Sequence, residues 1–245
     1  MTSRLIVPLD YPELPTALEI ADRLCTAVDW FKIGKELFTS VGPPSVQSLK
    51  ETGKSVFLDL KFHDIPNTVS GAVASATKLG ADMINVHASG GLEMMQAASQ
   101  SAMDQADKLN ITKPKLLAVT VLTSIDQPAF ARDLDSSRSL SAQVVYLAKL
   151  AQQAGLDGVV ASPLEIEKIR RACGNDFWIV TPGIRPSHSA ISDQKRIMSP
   201  AEAIDAGADQ LVIGRPITKS NDPLKATHEI LTEMGSPQKS VCQTE

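Results

Sequence analysis

The sequence predicts a single (β/α)8 barrel of the α/β class: eight parallel strands closed on themselves inside a ring of helices. Three observations lead there. Eight short apolar runs recur along the 245 residues, with amphipathic stretches between them. Strict alternation of strand and helix implies parallel strands joined by right-handed crossovers. Eight such units in about this length is the usual size of the closed barrel. The first run ends at Leu9 and is followed by Asp10-Tyr11-Pro12. A doubly wound open sheet would place a glycine-rich loop there.

In chain order, the predicted strands are Leu5–Leu9, Trp30–Ile33, Val56–Leu60, Met83–Val86, Leu116–Val121, Gly158–Val160, Trp178–Val180 and Gln210–Ile213. They are short, rich in β-branched residues and apolar on both faces, as strands covered by helices must be. Helical spacing is clear over Ala17–Leu24, Thr68–Leu79, Met94–Leu109, Ser139–Ala154, Pro163–Ala172 and Ala201–Ala206. Gly80, Gly155, Gly174 and Gly207 follow four of these as left-handed caps. No linker divides the chain, so residues 1–235 read as one catalytic barrel and residues 236–245 (SPQKSVCQTE) as a polar tail.

Composition narrows the function. Hydrophobic residues make up 43%, enough for a large core, and the net charge of −4 without a Lys/Arg run argues against a nucleic-acid surface. Aromatic residues are only 4%, too few for base-stacking platforms. The apolar run near the N-terminus stops at Asp10, and no stretch is long enough to cross a bilayer. Cys25, Cys173 and Cys242 have no metal-ligand spacing, and the four histidines form no paired motif. Reduced thiols in a cytoplasmic protein without a bound metal are the expectation.

The C-terminal strand ends of a barrel build its active site. Here those ends are rich in charge. The first strand leads to Asp10, the second carries Lys32, and the third carries Asp59 and Lys61 with Asp64 just beyond, in the stretch FLDLKFHDIPNT. Asp59 and Lys61 are two residues apart, so on a regular strand they leave the same face. Lys32, Asp59, Lys61 and Asp64 alternate in sign, so each can be neutralised by neighbours and keep its ionisation state in a dry pocket. The fourth strand ends at Asn85 and His87, the fifth at Thr120, Thr123 and Ser124. The sixth offers Ser162, which suits a helix cap with Pro163 at the first position.

The eighth strand runs into VIGRPI. Gly214 permits close backbone approach, a helix is expected from Pro216, and Arg215 adds a fork of donors matched to phosphate. A cation at a helix start opposes the dipole unless an anion is present. The seventh strand opens a long polar loop, Gly183 to about Arg196, that has the length of a lid and offers Arg185 and Gln194 as ligand contacts.

LDLKFHDIPNT, NVHASGG, VTVLTS, VTPGIRP with a following DQKRIM, and VIGRPIT together resemble the bacterial type of orotidine 5′-phosphate decarboxylase. The blocks run in order from about Ile6 to Pro223. The resemblance implies a dimeric barrel that needs no cofactor. It implies conversion of orotidine 5′-monophosphate to uridine 5′-monophosphate and CO2 in pyrimidine synthesis. By matching positions, Lys61 is expected to donate the proton to C6 and Asp59 to stand beside the departing carboxylate. Lys32 is expected to hold the network and a ribose hydroxyl, and Asp10 to contact the nucleoside. Asp64 and Thr68 are expected to reach the neighbouring site of a homodimer. Thr123 and Ser124 are expected at the pyrimidine, and Arg185, Gln194, Gly214 and Arg215 at the phosphate.

Two other functions compete. A magnesium-dependent sugar-phosphate decarboxylase or aldolase of the same superfamily also resembles the Asp-x-Lys-x-x-Asp pattern, but it needs a carboxylate at the second strand's end. Lys32 occupies that place, and a cation there repels the metal. A non-catalytic phosphate-binding barrel would keep Arg215 but has no need of the charges on the other strands.

Overall fold

The computed structural model describes residues 4–186 and 198–235. Eight strands appear at the predicted places: β1 Leu5–Pro8, β2 Trp30–Gly34, β3 Ser55–Phe62, β4 Met83–His87, β5 Lys115–Val119, β6 Gly158–Val160, β7 Trp178–Thr181 and β8 Gln210–Val212. Each pairs in parallel with the next, and β8 returns to β1 with Leu5 opposite Leu211, closing the barrel.

The helices are α1 Leu14–Arg23, α2 Lys35–Val41, α3 Pro44–Glu51, α4 Pro66–Lys78, α5 Leu92–Leu109, α6 Gln127–Asp133, α7 Leu140–Gln153, α8 Ile166–Cys173, α9 Pro200–Asp205, α10 Arg215–Thr218 and α11 Pro223–Glu233. Gly80, Gly155, Gly174 and Gly207 all take positive φ, as their capping role requires. Ser162 caps as expected, its hydroxyl accepting from Leu164 N–H at 3.3 Å, although the residues it opens form a single 3-10 turn before α8 begins. Among the described residues no helix is long and apolar enough to cross a membrane.

Two apolar layers hold the barrel. The larger lies between strands and helices, where the outward faces of the strands meet residues such as Val73, Ala98, Val144 and Ile169. The smaller fills the barrel itself: Ile6, Phe57, Met83, Leu117, Val119, Val160 and Val180, with Trp30, Trp178 and Val212 against them. The two tryptophans take up space that β-branched residues alone would leave empty. Beside Trp178 the neighbouring strand must carry a glycine: a Cβ on Gly158 would lie 2.2 Å from the Trp178 carbonyl oxygen. The interior is a packed core, not a pore.

Charge at the N-terminal end of the strands serves stability. Asp82 precedes β4 and accepts from Val56 N–H at 2.7 Å while pairing with Lys50. Asp157 precedes β6 and does the same with Leu116 N–H at 2.8 Å and Lys113. Asp209 precedes β8, accepts from Ile179 N–H at 2.6 Å and pairs with Arg170. Each aspartate ties the start of one strand to its neighbour, and each carboxylate is neutralised locally. The opposite end is arranged differently.

Candidate active site

At the C-terminal ends of β1 to β3, four charges form a chain. Lys32 Nζ lies 3.0 Å from Asp10 Oδ1 and 3.3 Å from Asp59 Oδ2, and Lys61 Nζ lies 2.5 Å from Asp59 Oδ1. The order is Asp10, Lys32, Asp59, Lys61. Asp64 is not in it: the Asp64 carboxylate accepts from Ile65 N–H at 2.7 Å and stands exposed past the end of β3. The expected four-charge array therefore exists within one chain, but with Asp10 in place of Asp64. Sequence spacing could not show this, because β1 and β2 meet only through the barrel's pairing.

Lys32 and Asp59 are both 8% exposed. Burial works against either charge. For Lys32 the neighbouring Asp59 and Asp10 carboxylates outweigh it and raise the ammonium's pKa. For Asp59 burial is likewise the largest influence, yet Lys32 and Lys61, with hydrogen bonds from Lys61 and Asn85, hold the carboxyl below its ordinary value. Both groups stay charged at neutral pH. Gly34 makes room for the pair: a Cβ there would lie 2.8 Å from Asp10 Oδ1 and 2.9 Å from Lys32 Nζ. Gly34 was legible in principle, because it follows Lys32 by two residues and so shares its face.

Asp59 and Lys61 do converge, but not by regular alternation. Leu58 pairs with Ile84 and Phe62 with Val86, so Asp59, Leu60 and Lys61 together oppose Asn85 alone. Lys61 adopts φ 55°, a left-handed backbone uncommon for a side chain of its size. The bulge turns the lysine over the barrel mouth, as bulges beside active sites do. Asn85, fully buried, occupies the gap in the ladder: its Oδ1 accepts from Lys61 N–H at 2.8 Å and its Nδ2 donates to Asp59 Oδ1 at 2.7 Å.

Above the barrel core lies a cavity of about 180 Å3. Lys32, Asp59 and Lys61 form one wall, while Val119, Val121, Leu122, Val160, Ala161 and Pro182 form the other, with Thr123 at its edge. A charged wall thus faces an apolar one. His87, half-buried at the end of β4, has its ring centroid 5.4 Å from that of His63. Burial first, then the charges of His63, Lys61 and Lys35, lower its pKa to about 4, so it is neutral at pH 7.

The remaining expected site residues spread around this cavity. Ser124 is exposed next to Thr123 and does not line it. Thr68 is exposed in the first turn of α4, near Asp64. Arg185 follows β7, and its Nη1 donates to the Ile184 carbonyl at 2.8 Å. Gly214 caps α10 and packs closely on β1, where a Cβ would meet the Pro8 ring at 2.8 Å; Arg215 is exposed beside it. The helix expected from Pro216 starts one residue earlier and is a single turn, so its dipole is short and Arg215 carries most of any attraction for an anion. Gln194 lies outside the described residues.

Known proteins resemble this chain over nearly its full length. Orotidine 5′-phosphate decarboxylase of Moorella thermoacetica is 51% identical over 94% of this chain and 92% of its own length. The enzyme of the same name from Trichlorobacter lovleyi is 52% identical over 95% of both chains. Among solved structures, orotidine 5′-phosphate decarboxylase from Lactobacillus acidophilus superposes with a TM-score of 0.84 at 37% identity, covering 95% of this chain and 99% of that one. The family pattern described as Orotidine 5′-phosphate decarboxylase / HUMPS matches residues 3–230. With a match of that extent and relatives at half identity over nearly full length, the chain belongs to the orotidine 5′-phosphate decarboxylase / HUMPS family.

Proposed function

We propose that the protein decarboxylates orotidine 5′-monophosphate to uridine 5′-monophosphate and CO2 in pyrimidine synthesis. The observation that carries this is the Lys32–Asp59–Lys61 chain, buried at Lys32 and Asp59, on one wall of a cavity whose other wall is apolar. Relatives at about half identity bear the name of that activity. The family also spans other chemistry, and Lys32 weighs against its metal-dependent branch: an ammonium held charged by Asp59 and Asp10 stands where a metal-binding carboxylate would be needed.

Loss of CO2 from C6 leaves an electron pair in the ring plane, where it cannot spread into the π system. The reaction therefore needs a cation close to C6 and an acid to quench the pair. Lys61, turned over the mouth by the bulge, serves as both. The departing CO2 is apolar, and the Val119–Val121–Val160 wall gives it a place without competing charge. A cavity of about 180 Å3 is smaller than the roughly 300–1,000 Å3 usual for larger ligands. It suits the heterocycle, with ribose and phosphate lying across the rim towards Asp10, Arg185, Gly214 and Arg215.

A homodimer fits the rim. Asp64 and Thr68 are exposed beside the mouth with Ile65 between them, 66% exposed. Ile65 is the most exposed large hydrophobic side chain among the described residues, and a partner subunit over the rim would cover it. Mixing Lys61→Ala chains with Asp64→Ala chains should restore activity that neither variant has, because one site of each hybrid regains both groups. Hybrids that form without gaining activity would remove the shared-site arrangement. A cytoplasmic setting suits the two described cysteines, which are both free thiols.

The decisive assay is loss of the orotidine absorbance band with purified protein, with and without a chelator. Turnover that persists with chelator is expected; turnover abolished by it would favour the metal-dependent branch. In the same assay Arg215→Ala should raise KM about 10- to 100-fold, the worth of a charge-assisted hydrogen bond, with a smaller change in kcat. An unchanged KM would take the phosphate away from Arg215.

A further inference from the structure

We infer that Asn85 is a positioning residue for the decarboxylation proposed above, holding Lys61 and Asp59 in register across the β3 bulge. The inference rests on that reaction but concerns a residue that does not itself line the cavity and acts through two residues that do. Three facts carry it. The ladder between β3 and β4 breaks where Asp59, Leu60 and Lys61 face Asn85 alone. A broken ladder strands buried backbone groups, and the Asn85 amide supplies a partner for one of them, the Lys61 N–H. The same amide then donates to the Asp59 oxygen that also accepts from Lys61 Nζ.

An amide of this length does both without carrying a charge. The Asn85 Oδ1 must accept and Nδ2 must donate; reversing the amide would set donor against donor and acceptor against carboxylate. An ionised carboxylate offers acceptors only, serine is a bond shorter, and an aliphatic side chain offers neither group. Asn85 is fully buried, so water cannot replace what is lost. The closed loop runs from Lys61 N–H through the Asn85 amide to Asp59 and back to Lys61 Nζ. It ties the lysine's backbone, held at φ 55°, to its own ammonium's counter-ion.

Two substitutions separate positioning from mere stability. Asn85→Asp is nearly isosteric. While its new carboxyl is neutral it still accepts from Lys61 N–H and still donates to Asp59; once ionised it loses the donor and sets a second negative charge beside Asp59. Burial and Asp59 favour the neutral form, whereas Lys61 and Lys32 favour the charged one. His87 and His63 lie at the end of β4 and beyond β3, Lys35 just past β2, and β5 brings only Leu117 opposite. The kcat of Asn85→Asp relative to wild type should therefore be at least about tenfold higher at pH 5.5 than at pH 8.5, with KM within about threefold of wild type throughout. Asn85→Leu should lose at least about 100-fold in kcat at every pH, with no recovery in acid.

A flat activity ratio for Asn85→Asp, or a loss that appears only in KM, would overturn the inference. So would folded Asn85→Leu protein with wild-type kcat, which would show that the amide only stabilises the fold. If Asn85→Leu does not fold, the pH ratio of Asn85→Asp decides alone. Absence of decarboxylation in the wild-type protein would instead strike the reaction itself, leaving the two failures distinct.

Discussion

Lys61→Ala should lower kcat by at least about 10,000-fold while binding of uridine 5′-monophosphate stays within roughly tenfold of wild type. The size follows from the two tasks that fall on one ammonium. As a cation about 4 Å from a developing unit charge it is worth roughly 4 kcal/mol at an effective dielectric of 20. As a positioned general acid it contributes a further factor of about 100 to 10,000. Binding should survive because the proposed anion contacts, Gly214 and Arg215, follow β8 and open α10, away from β3. The fold should survive too, since Asp59 keeps Lys32 at 3.3 Å and Asn85 at 2.7 Å when Lys61 is truncated. Steady-state rates with a parallel product titration check this. Turnover within tenfold of wild type would dismiss Lys61 as the proton donor, and lost product binding would mean that the variant reports a damaged pocket.

Lys61 alone does not account for an enzymatic acceleration, which requires about 8–23 kcal/mol. The proposed source of the remainder is binding of the part of the substrate that does not react. Such energy raises kcat when it is spent on holding the ring against the charged wall and excluding water. The geometry supports that division: the charged wall, the apolar wall and the Gly214–Arg215 rim are carried by different strands of one rigid barrel.

Much of this arrangement was legible in the sequence because burial is. All eight strands announce themselves as apolar runs, and the charges at their C-terminal ends stand out against that background. The helices α2, α3, α6 and α11 do not stand out. The first three are seven or eight residues long, and Pro44 and Pro128 sit in the first turns of two of them. So short an amphipathic pattern resembles a loop. At the site, Lys32, Asp59 and Lys61 could be found from their spacing, whereas the exchange of Asp10 for Asp64 could not. Ion pairing follows distance in three dimensions, and Asp64 lies past the point where β3 ends. The bulge was equally hidden. It is a property of how β3 and β4 are registered, so the sequence of FLDLKF alone reads as a regular strand and Asn85 reads as one more polar strand end.

Asp59→Asn should cost about 3–5 kcal/mol of stability at pH 7 and at least about 1,000-fold in kcat. Removing one member of a buried ionic group leaves the others uncompensated, which is the costly case. Both Asp59 oxygens are engaged, Oδ1 by Lys61 and Asn85 and Oδ2 by Lys32, so an amide would turn a donor towards one ammonium or towards Asn85. The pH dependence identifies the cause. Asp59 has a lowered pKa in the folded protein, so its stabilisation is present above the unfolded value near 4 and is lost as pH falls through the folded one. Lys32 has a raised pKa, so its share is complete below about 10.5 and is lost as pH rises through the folded value. The stability gap between wild type and Asp59→Asn should hold through the neutral range and shrink as pH falls below the unfolded value near 4, where the unfolded chain takes up the proton before the folded one does. Urea unfolding at pH 7 and pH 3 measures it, and a gap of equal size at both would exclude the ionic account. Kinetics then divides the catalytic roles. If Asp59, its charge already shared among two ammonium groups and an amide, acts chiefly by fixing Lys61, kcat and kcat/KM should fall together. A KM for orotidine 5′-monophosphate that drops along with kcat would show instead that the carboxylate works by straining the bound substrate.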